Sequence, residues 1–141
     1  MTLRQQSETI SVPSRGRGLV DISGQLRAFV AASGMRNGLL TIFCRHTSAS
    51  LLVQENADPD VRRDLDDHFT RMVPDGQPQW RHNSEGPDDM SAHIRTALTQ
   101  SSLAIPLNDG QLALGVWQGV FLWEHRTRAH QRQLVLHLLG E

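Results

Sequence analysis

Tyrosine is absent from this chain of 141 residues, and the aromatic side chains are four Phe and three Trp. A core built from these residues must be filled mostly by aliphatic side chains, and the 38% hydrophobic content is enough for one such core. Only one cysteine is present, Cys44, so no disulfide can form within the chain. It sits in the apolar run "LLTIFCRH" and reads as a buried thiol rather than a nucleophile. Net charge is almost absent, at −1, with acids and bases mixed along the chain. That excludes an electrostatic grip on nucleic acid through a broad basic face, while leaving room for a small basic pocket. No apolar run approaches the roughly 20 residues of a membrane span. The opening "MTLRQQSETI" has no apolar stretch of the signal-peptide kind. A cytoplasmic protein with no membrane partner is the expectation. There is no internal repeat, no low-complexity segment, and no glycine-rich phosphate loop after a strand.

What is present reads as one domain over 1–141. A strand is expected around Glu8–Val12, and "PSRGRG" reads as a turn. Ile22, Leu26, Phe29 and Val30 follow at helical spacing, with a stop at Ser33–Gly34. Gly38–Arg45 is a short apolar run that suits a buried strand. In "NADPDVRRDLDDHFTRM", Asp58 can cap a helix, Pro59 suits its first turn and Asp60 favours its positive end. Val61, Leu65, Phe69 and Met72 form its inner stripe. A third helix is expected from near Pro87, with Met90, Ile94, Ala97 and Leu98 as its apolar face. The segments "SLAIPL", "LALGVW", "GVFLWEH" and "RQLVLHLL" read as strands of an antiparallel meander, with Asn108-Asp109-Gly110 as a hairpin turn. The pattern predicts an α+β fold, a mainly antiparallel sheet with helices packed on it.

Seven histidines stand out at this length. His68, His130 and His137 have plain structural readings: a helix stripe, a turn and a strand. His46, His82, His93 and His125 each lie near the end of an expected element, where loops meet a rigid scaffold. His82 and His93 flank "NSEGPDD", and a proline between them prevents one continuous helix. They could meet on a metal only if that loop folds back, with His46, or else His125, as the third ligand. Three imidazoles with an open position suit zinc. Taken alone, the spacing favours a simpler arrangement, in which Ser84 or Glu85 caps a helix and Asp88 and Asp89 offset its dipole.

Several segments together change that balance. "HTSASLLVQENADPDVRRDL", "HNSEGPDDMSAHI", "SLAIPL", "GVWQGVFLWEHR" and "LLGE" resemble the YjbQ-like family, also called the secondary thiamine-phosphate synthase family. The resemblance implies a compact homotrimer with pockets near subunit contacts and a divalent-metal site built from histidines. The family pattern falls on His46, Thr47 and Ser48, then on Glu55, Asn56 and Asp58. It continues on His82, Glu85, Gly86, Asp89 and His93, then on Trp117, Gln118, Gly119 and Glu124. His125 and Arg126 match only part of the family.

The implied reaction joins a pyrimidine pyrophosphate to a thiazole phosphate and releases pyrophosphate. Such chemistry needs a divalent cation, zinc or magnesium, to neutralise the leaving group. It also needs donors for the phosphates of a small-molecule substrate. His46, His82 and His93 are the expected metal ligands, with Asp89 and Glu85 orienting imidazoles or holding magnesium. Thr47, Ser48 and Arg126 are the expected phosphate contacts, and Ser50 offers a further hydroxyl. Glu85, Asn56, Trp117 and Gln118 are the expected catalytic residues, with Trp117 placed to stack on a ring. A metal-dependent hydrolase of a small phosphoester or amide, or a metal-binding trimer without catalysis, are the alternatives. Each residue also has a simpler role: Trp117 as core, Asp58 as a cap, Glu124 and Arg126 as an ordinary ion pair.

Overall fold

The structure is a computed structural model that describes residues 2–141. Eight strands and three helices follow the order β1 (Arg4–Pro13), β2 (Gly18–Asp21), α1 (Ser23–Ser33), β3 (Gly38–Cys44), β4 (Ala49–Glu55), α2 (Pro59–Met72), α3 (Asp89–Leu98), β5 (Ser102–Asn108), β6 (Gln111–Leu112), β7 (Gln118–Glu124) and β8 (Gln131–Gly140). The strands form two sheets, β1-β8-β3-β5-β6 and β2-β7-β4, and every pairing is antiparallel. The expected α+β class is what the chain adopts. The expected meander is not, because β7 leaves for the second sheet and β8 returns to pair with β1 and β3.

One apolar core joins the two sheets and α1. Leu40, Ile42, Leu134, Leu136 and Leu138 come from the first sheet, Leu51, Val120 and Leu122 from the second, and Leu26, Phe29 and Val30 from α1. Alternation explains the strands: β8 reads Arg132, Leu134, Leu136, Leu138 on its buried side. Helix α1 ends as its sequence suggests, with Gly34 in the left-handed region at φ 69°. At the hairpin, Asp109 and Gly110 both have positive φ, 50° and 80°.

Two strands were not legible beforehand. β2 is only four residues long, and β4 begins within the polar "RHTSAS", at Ala49, on the edge of its sheet. Conversely, of "LALGVW" only Leu112 lies in a strand, the two-residue β6.

The outer face of the second sheet carries α2 and α3. Asp58 caps α2 through Asp60 N–H at 2.9 Å, as expected. Asp66 accepts the Trp123 indole N–H at 2.9 Å, and Phe69 packs on the Trp123 ring with centroids 4.6 Å apart. The proposed α2 stripe is shallow: Val61, Leu65 and Phe69 are half-buried and Met72 is exposed. Helix α3 is turned relative to the sequence expectation. It buries Asp89, Ser91, Ala92 and Arg95 and half-buries Met90 and Ile94, while Ala97 and Leu98 face solvent. Its acidic first turn meets an arginine that follows β7, and that pairing sets the helix's orientation against its own apolar stripe.

Strands β3 and β8 leave no room for a side chain where Gly38 faces Gly140. A Cβ on Gly38 would lie 2.3 Å from the Leu139 carbonyl oxygen and 2.8 Å from the Gly140 Cα. Backbone cannot yield there, so Gly38→Ala is expected to cost about 1–3 kcal/mol of stability. Gly24→Ala, on α1 with open space around it, should be neutral or stabilising by up to about 1 kcal/mol. Urea midpoints of the two variants check the contrast; equal shifts would count against the close approach.

Candidate metal centre

The site is built outward from a buried carboxylate. Glu124, at the end of β7, accepts Arg132 Nε–H at 2.8 Å, a second contact from Arg132 Nη2, and the Ser14 hydroxyl at 2.6 Å. It also accepts the backbone N–H of Arg126 at 3.1 Å. Burial works against its charge, but the Arg132 and Ser14 contacts outweigh burial and lower its pKa.

The chain so fixed presents Arg126 to the start of α3. Arg126 Nε donates to Asp88 Oδ2 at 3.0 Å, Nη1 to Asp89 Oδ1 at 3.0 Å and Nη2 to the Glu85 carbonyl at 2.9 Å. Asp88 also accepts the backbone N–H of Thr127 at 2.9 Å and its hydroxyl at 3.1 Å. Burial alone would raise Asp88, yet the Arg126 and Thr127 donors hold it well below the usual carboxylate range. Gly86 makes the loop possible: its φ is 108°, and a Cβ would sit 3.1 Å from Asp88 Oδ1.

Asp89 is the centre of the arrangement, with a side chain only 2% exposed. His82 Nε2 lies 2.6 Å from Asp89 Oδ2, and His93 Nε2 lies 3.3 Å from Asp89 Oδ1. The two imidazole rings are 5.3 Å apart, centroid to centroid. The "NSEGPDD" loop does fold back and brings both ends of the opening histidine pair together. One ligand atom each from His82, Asp89 and His93 all lie within 4.8 Å of one another.

The tautomer of His93 is set from behind. Its Nδ1 lies 2.8 Å from the Thr47 carbonyl oxygen, which can only accept, so Nδ1 carries the proton. In the neutral ring Nε2 is then the unprotonated nitrogen, 3.3 Å from Asp89 Oδ1. Asp89 Oδ1 already accepts from Arg126, and His93 Nε2 makes no hydrogen bond, which leaves that nitrogen able to take a cation. The donor set of two imidazole nitrogens and one carboxylate oxygen fits a divalent transition metal. His82 also has Glu85 at 3.8 Å, with the Glu85 side chain 69% exposed. A cleft of ≈ 380 Å³ opens beside His82, lined by Trp80, Pro78, Gly86 and Pro87.

Other expected residues fall elsewhere. His46 is not brought to the cluster; its Nε2 accepts the Gln133 backbone N–H at 2.7 Å, which occupies that lone pair. Burial, then Arg132, lowers its pKa. Thr47 contributes its carbonyl rather than its hydroxyl, and the Ser48 hydroxyl and carbonyl take Arg132 Nη2 at 3.0 and 3.2 Å. Arg126 is wholly engaged by Asp88, Asp89 and Glu85, so it positions the cluster rather than meeting a phosphate.

Asn56, Trp117 and Gln118 lie at the opposite end of β4 and β7, roughly 20 Å along the strands. There Asn56 N–H donates to the Trp117 carbonyl at 2.9 Å, and Gln118 Oε1 accepts Gly115 N–H at 2.8 Å. Trp117 is 63% exposed and belongs to no core. Asp89 stands at the centre of the cluster rather than in the supporting place expected of it, and Trp80, beside the cleft, is not among the expected residues. The signal was present: Asp89 and His93 are one helical turn apart, and Trp80 stands two residues before His82.

The comparisons with known proteins agree on one group. The family model described as UPF0047 protein YjbQ-like matches residues 8–141. The UPF0047 protein sll1880 of Synechocystis sp. is 51% identical over 140 residues, covering 99% of this chain and 95% of that protein. UPF0047 protein YjbQ of Escherichia coli O157:H7 is 40% identical over 139 residues, covering 97% and 98%. Among solved structures, a YbjQ-like protein of unknown function from Sulfolobus solfataricus P2 superposes with a TM-score of 0.89 at 26% identity, covering 99% and 100%. The conserved hypothetical protein TT1486 from Thermus thermophilus gives 0.81 at 35% identity, covering 91% and 97%.

His125, the alternative third ligand, is fully buried away from the cluster. Its Nε2 is 2.8 Å from the Ser50 hydroxyl and its ring is 5.2 Å from Trp123. Burial, then the nearby Arg95, Arg17 and Arg132 charges, push its pKa down to about 3. An unfolded histidine titrates near ~6.5, so below that pH the unfolded chain binds a proton the folded chain refuses. Stability therefore falls as pH drops from about 6.5 towards 3. Between about pH 7 and about pH 5, His125→Gln should lose less of its urea midpoint than the parent protein. Equal losses would show that His125 is not held neutral.

Proposed function

Since the chain belongs to the YjbQ-like UPF0047 family, whose model spans residues 8–141, we propose that it is a divalent-metal-dependent enzyme acting on a small phosphorylated substrate at His82, Asp89 and His93. The observation that carries this reading is the convergence of one ligand atom each from His82, Asp89 and His93 within 4.8 Å, with the His93 ring oriented by the Thr47 carbonyl. A bound divalent ion would supply Lewis acidity and charge neutralisation for a phosphate group. The protein's own parts do the rest. Arg126 and the loop at Gly86 hold Asp89, the Thr47 carbonyl fixes the His93 ring, and the cleft beside Trp80 admits the substrate.

Within that class, the family resemblance favours joining a pyrimidine pyrophosphate to a thiazole phosphate with release of pyrophosphate. Trp80, rather than the distant Trp117, is placed at the cleft to lie against a heteroaromatic ring. A second reading, hydrolysis of a small phosphoester or amide, rests on Glu85. Its exposed carboxylate beside His82 can take a proton from water. The reading includes a cytoplasmic location, in keeping with the unpaired Cys44 thiol. No helix among the described residues is long and apolar enough to cross a membrane. It also includes a homotrimer. The uncovered face of the first sheet presents Leu39, Phe43 and Leu139 to solvent, a surface that association would bury. Light scattering should give a trimer mass; a monomer at working concentration would count against assembly.

Elemental analysis of protein purified without chelator should find about one transition-metal ion per chain. His82→Ala, His93→Ala and Asp89→Asn should each lose it by tenfold or more in affinity, roughly the scale of a lost ligand or its orienting partner. Unchanged stoichiometry in all three would sink the site. Product analysis then separates the reactions: a joined thiamine phosphate supports the first reading and a cleaved ester or amide the second.

A further inference from the structure

The sequence contains no lysine, and its fourteen basic side chains are all arginine. Five are engaged in ion pairs with carboxylates: Arg17, Arg36, Arg63, Arg126 and Arg132. Arg95 is buried under α3, and Arg62 lies over the Phe121 ring. Of those left, four gather at one end of the molecule: Arg15, Arg45, Arg81 and Arg128. All four are exposed. Among the described residues, none has a carboxylate oxygen within 4.0 Å, and none of their guanidiniums makes a hydrogen bond.

Their placement follows from the contacts that build the metal-ligand cluster. Arg81 immediately precedes His82. Arg128 follows Thr127, whose N–H and hydroxyl both bind Asp88. Arg15 precedes Gly16, which packs so closely on the Thr127 carbonyl that a Cβ would approach it to 2.6 Å. Arg45 stands two residues before Thr47, whose carbonyl holds His93. Four different loops thus each place one unpaired arginine at the end of the fold that carries His82, Asp89 and His93.

Like charges gathered without partners cost stability through mutual repulsion, and they raise the positive potential over a cleft. The carboxylate at this end that no arginine pairs is Glu85, 3.8 Å from His82, one charge against four. A guanidinium offers two parallel N–H donors that match phosphate oxygens, which a lysine does not. We propose that Arg15, Arg45, Arg81 and Arg128 form a substrate-selecting rim that holds the diphosphate group of a small molecule over the His82, Asp89 and His93 cluster. A single phosphate would leave most of this charge unmatched, whereas a diphosphate spans more than one guanidinium. The ≈ 380 Å³ cleft beside His82 sets the scale of a small molecule. The proposal rests on the phosphorylated-substrate reading above and names the residues that recognise the anion.

Calorimetry with inorganic pyrophosphate and inorganic orthophosphate tests it on the whole chain. The parent protein should bind pyrophosphate at least about tenfold more tightly than orthophosphate, with affinity falling as salt rises. Arg81→Gln with Arg128→Gln should weaken pyrophosphate binding by about tenfold or more, as should Arg15→Gln with Arg45→Gln. Because these side chains have no partners and repel one another, both double variants should keep the parent's metal content and hold or slightly raise its urea midpoint. The metal reading fails separately, through metal stoichiometry in His82→Ala, which should still show the arginine-dependent share of pyrophosphate binding. Pyrophosphate affinity unchanged in both double variants would overturn the rim. So would equal affinity for the two anions, or tighter binding of a single-stranded oligonucleotide than of pyrophosphate.

Discussion

The structure around the site depends on one guanidinium. Arg126 closes three contacts, to Asp88, Asp89 and the Glu85 carbonyl, and so ties the end of β7 to the first turn of α3. It can do so because Glu124, two residues earlier, is itself fixed by Arg132 and Ser14. The order of dependence runs from a buried ion pair, to a placed arginine, to two oriented aspartates, to two histidines. None of these links is apolar. Removing one charge from such a chain leaves its partner buried and unpaired, which is the costly case for buried ions.

That chain of contacts also decides what the site can do. Arg126 resembles a phosphate contact in sequence, yet its donors are turned inward to carboxylates and a carbonyl. What it supplies is the geometry of Asp89, whose two oxygens reach His82 and His93 on separate sides. With Thr47 behind His93, the cluster has both its ligand atoms and their orienting partners in place. The surface facing the substrate is then left to residues that the fold itself does not use, among them Trp80 and Glu85.

Much of this was legible from the residues, and the failures have identifiable causes. The Asp58 cap, the Gly34 stop and the Asn108-Asp109-Gly110 hairpin rest on local backbone chemistry, which a sequence states directly. The convergence of His82 and His93 was visible as a possibility, because a proline and a glycine between them allow the loop to reverse. The rotation of α3 was not visible. Its apolar spacing pointed one way, and ion pairs to a residue 37 positions later, Arg126 to Asp89, pointed the other. His46 and His125 illustrate the same limit. Both histidines sit at strand ends, but one is occupied by a backbone N–H from β8 and the other is sealed against Ser50 and Trp123. Likeness of motif placed Asn56, Trp117 and Gln118 beside the histidines, and β4 and β7 set them at the far end.

The polar underside of α3 has a thermal consequence. Apolar burial weakens on cooling, and it is what gives unfolding its large heat-capacity increment. The sandwich core between the two sheets follows that rule. Asp89, Ser91 and Arg95 bury polar surface instead, which lowers the heat capacity gained on exposure. The layer that carries the histidines therefore adds less to the heat-capacity increment of unfolding, for the area it buries, than the core beneath it.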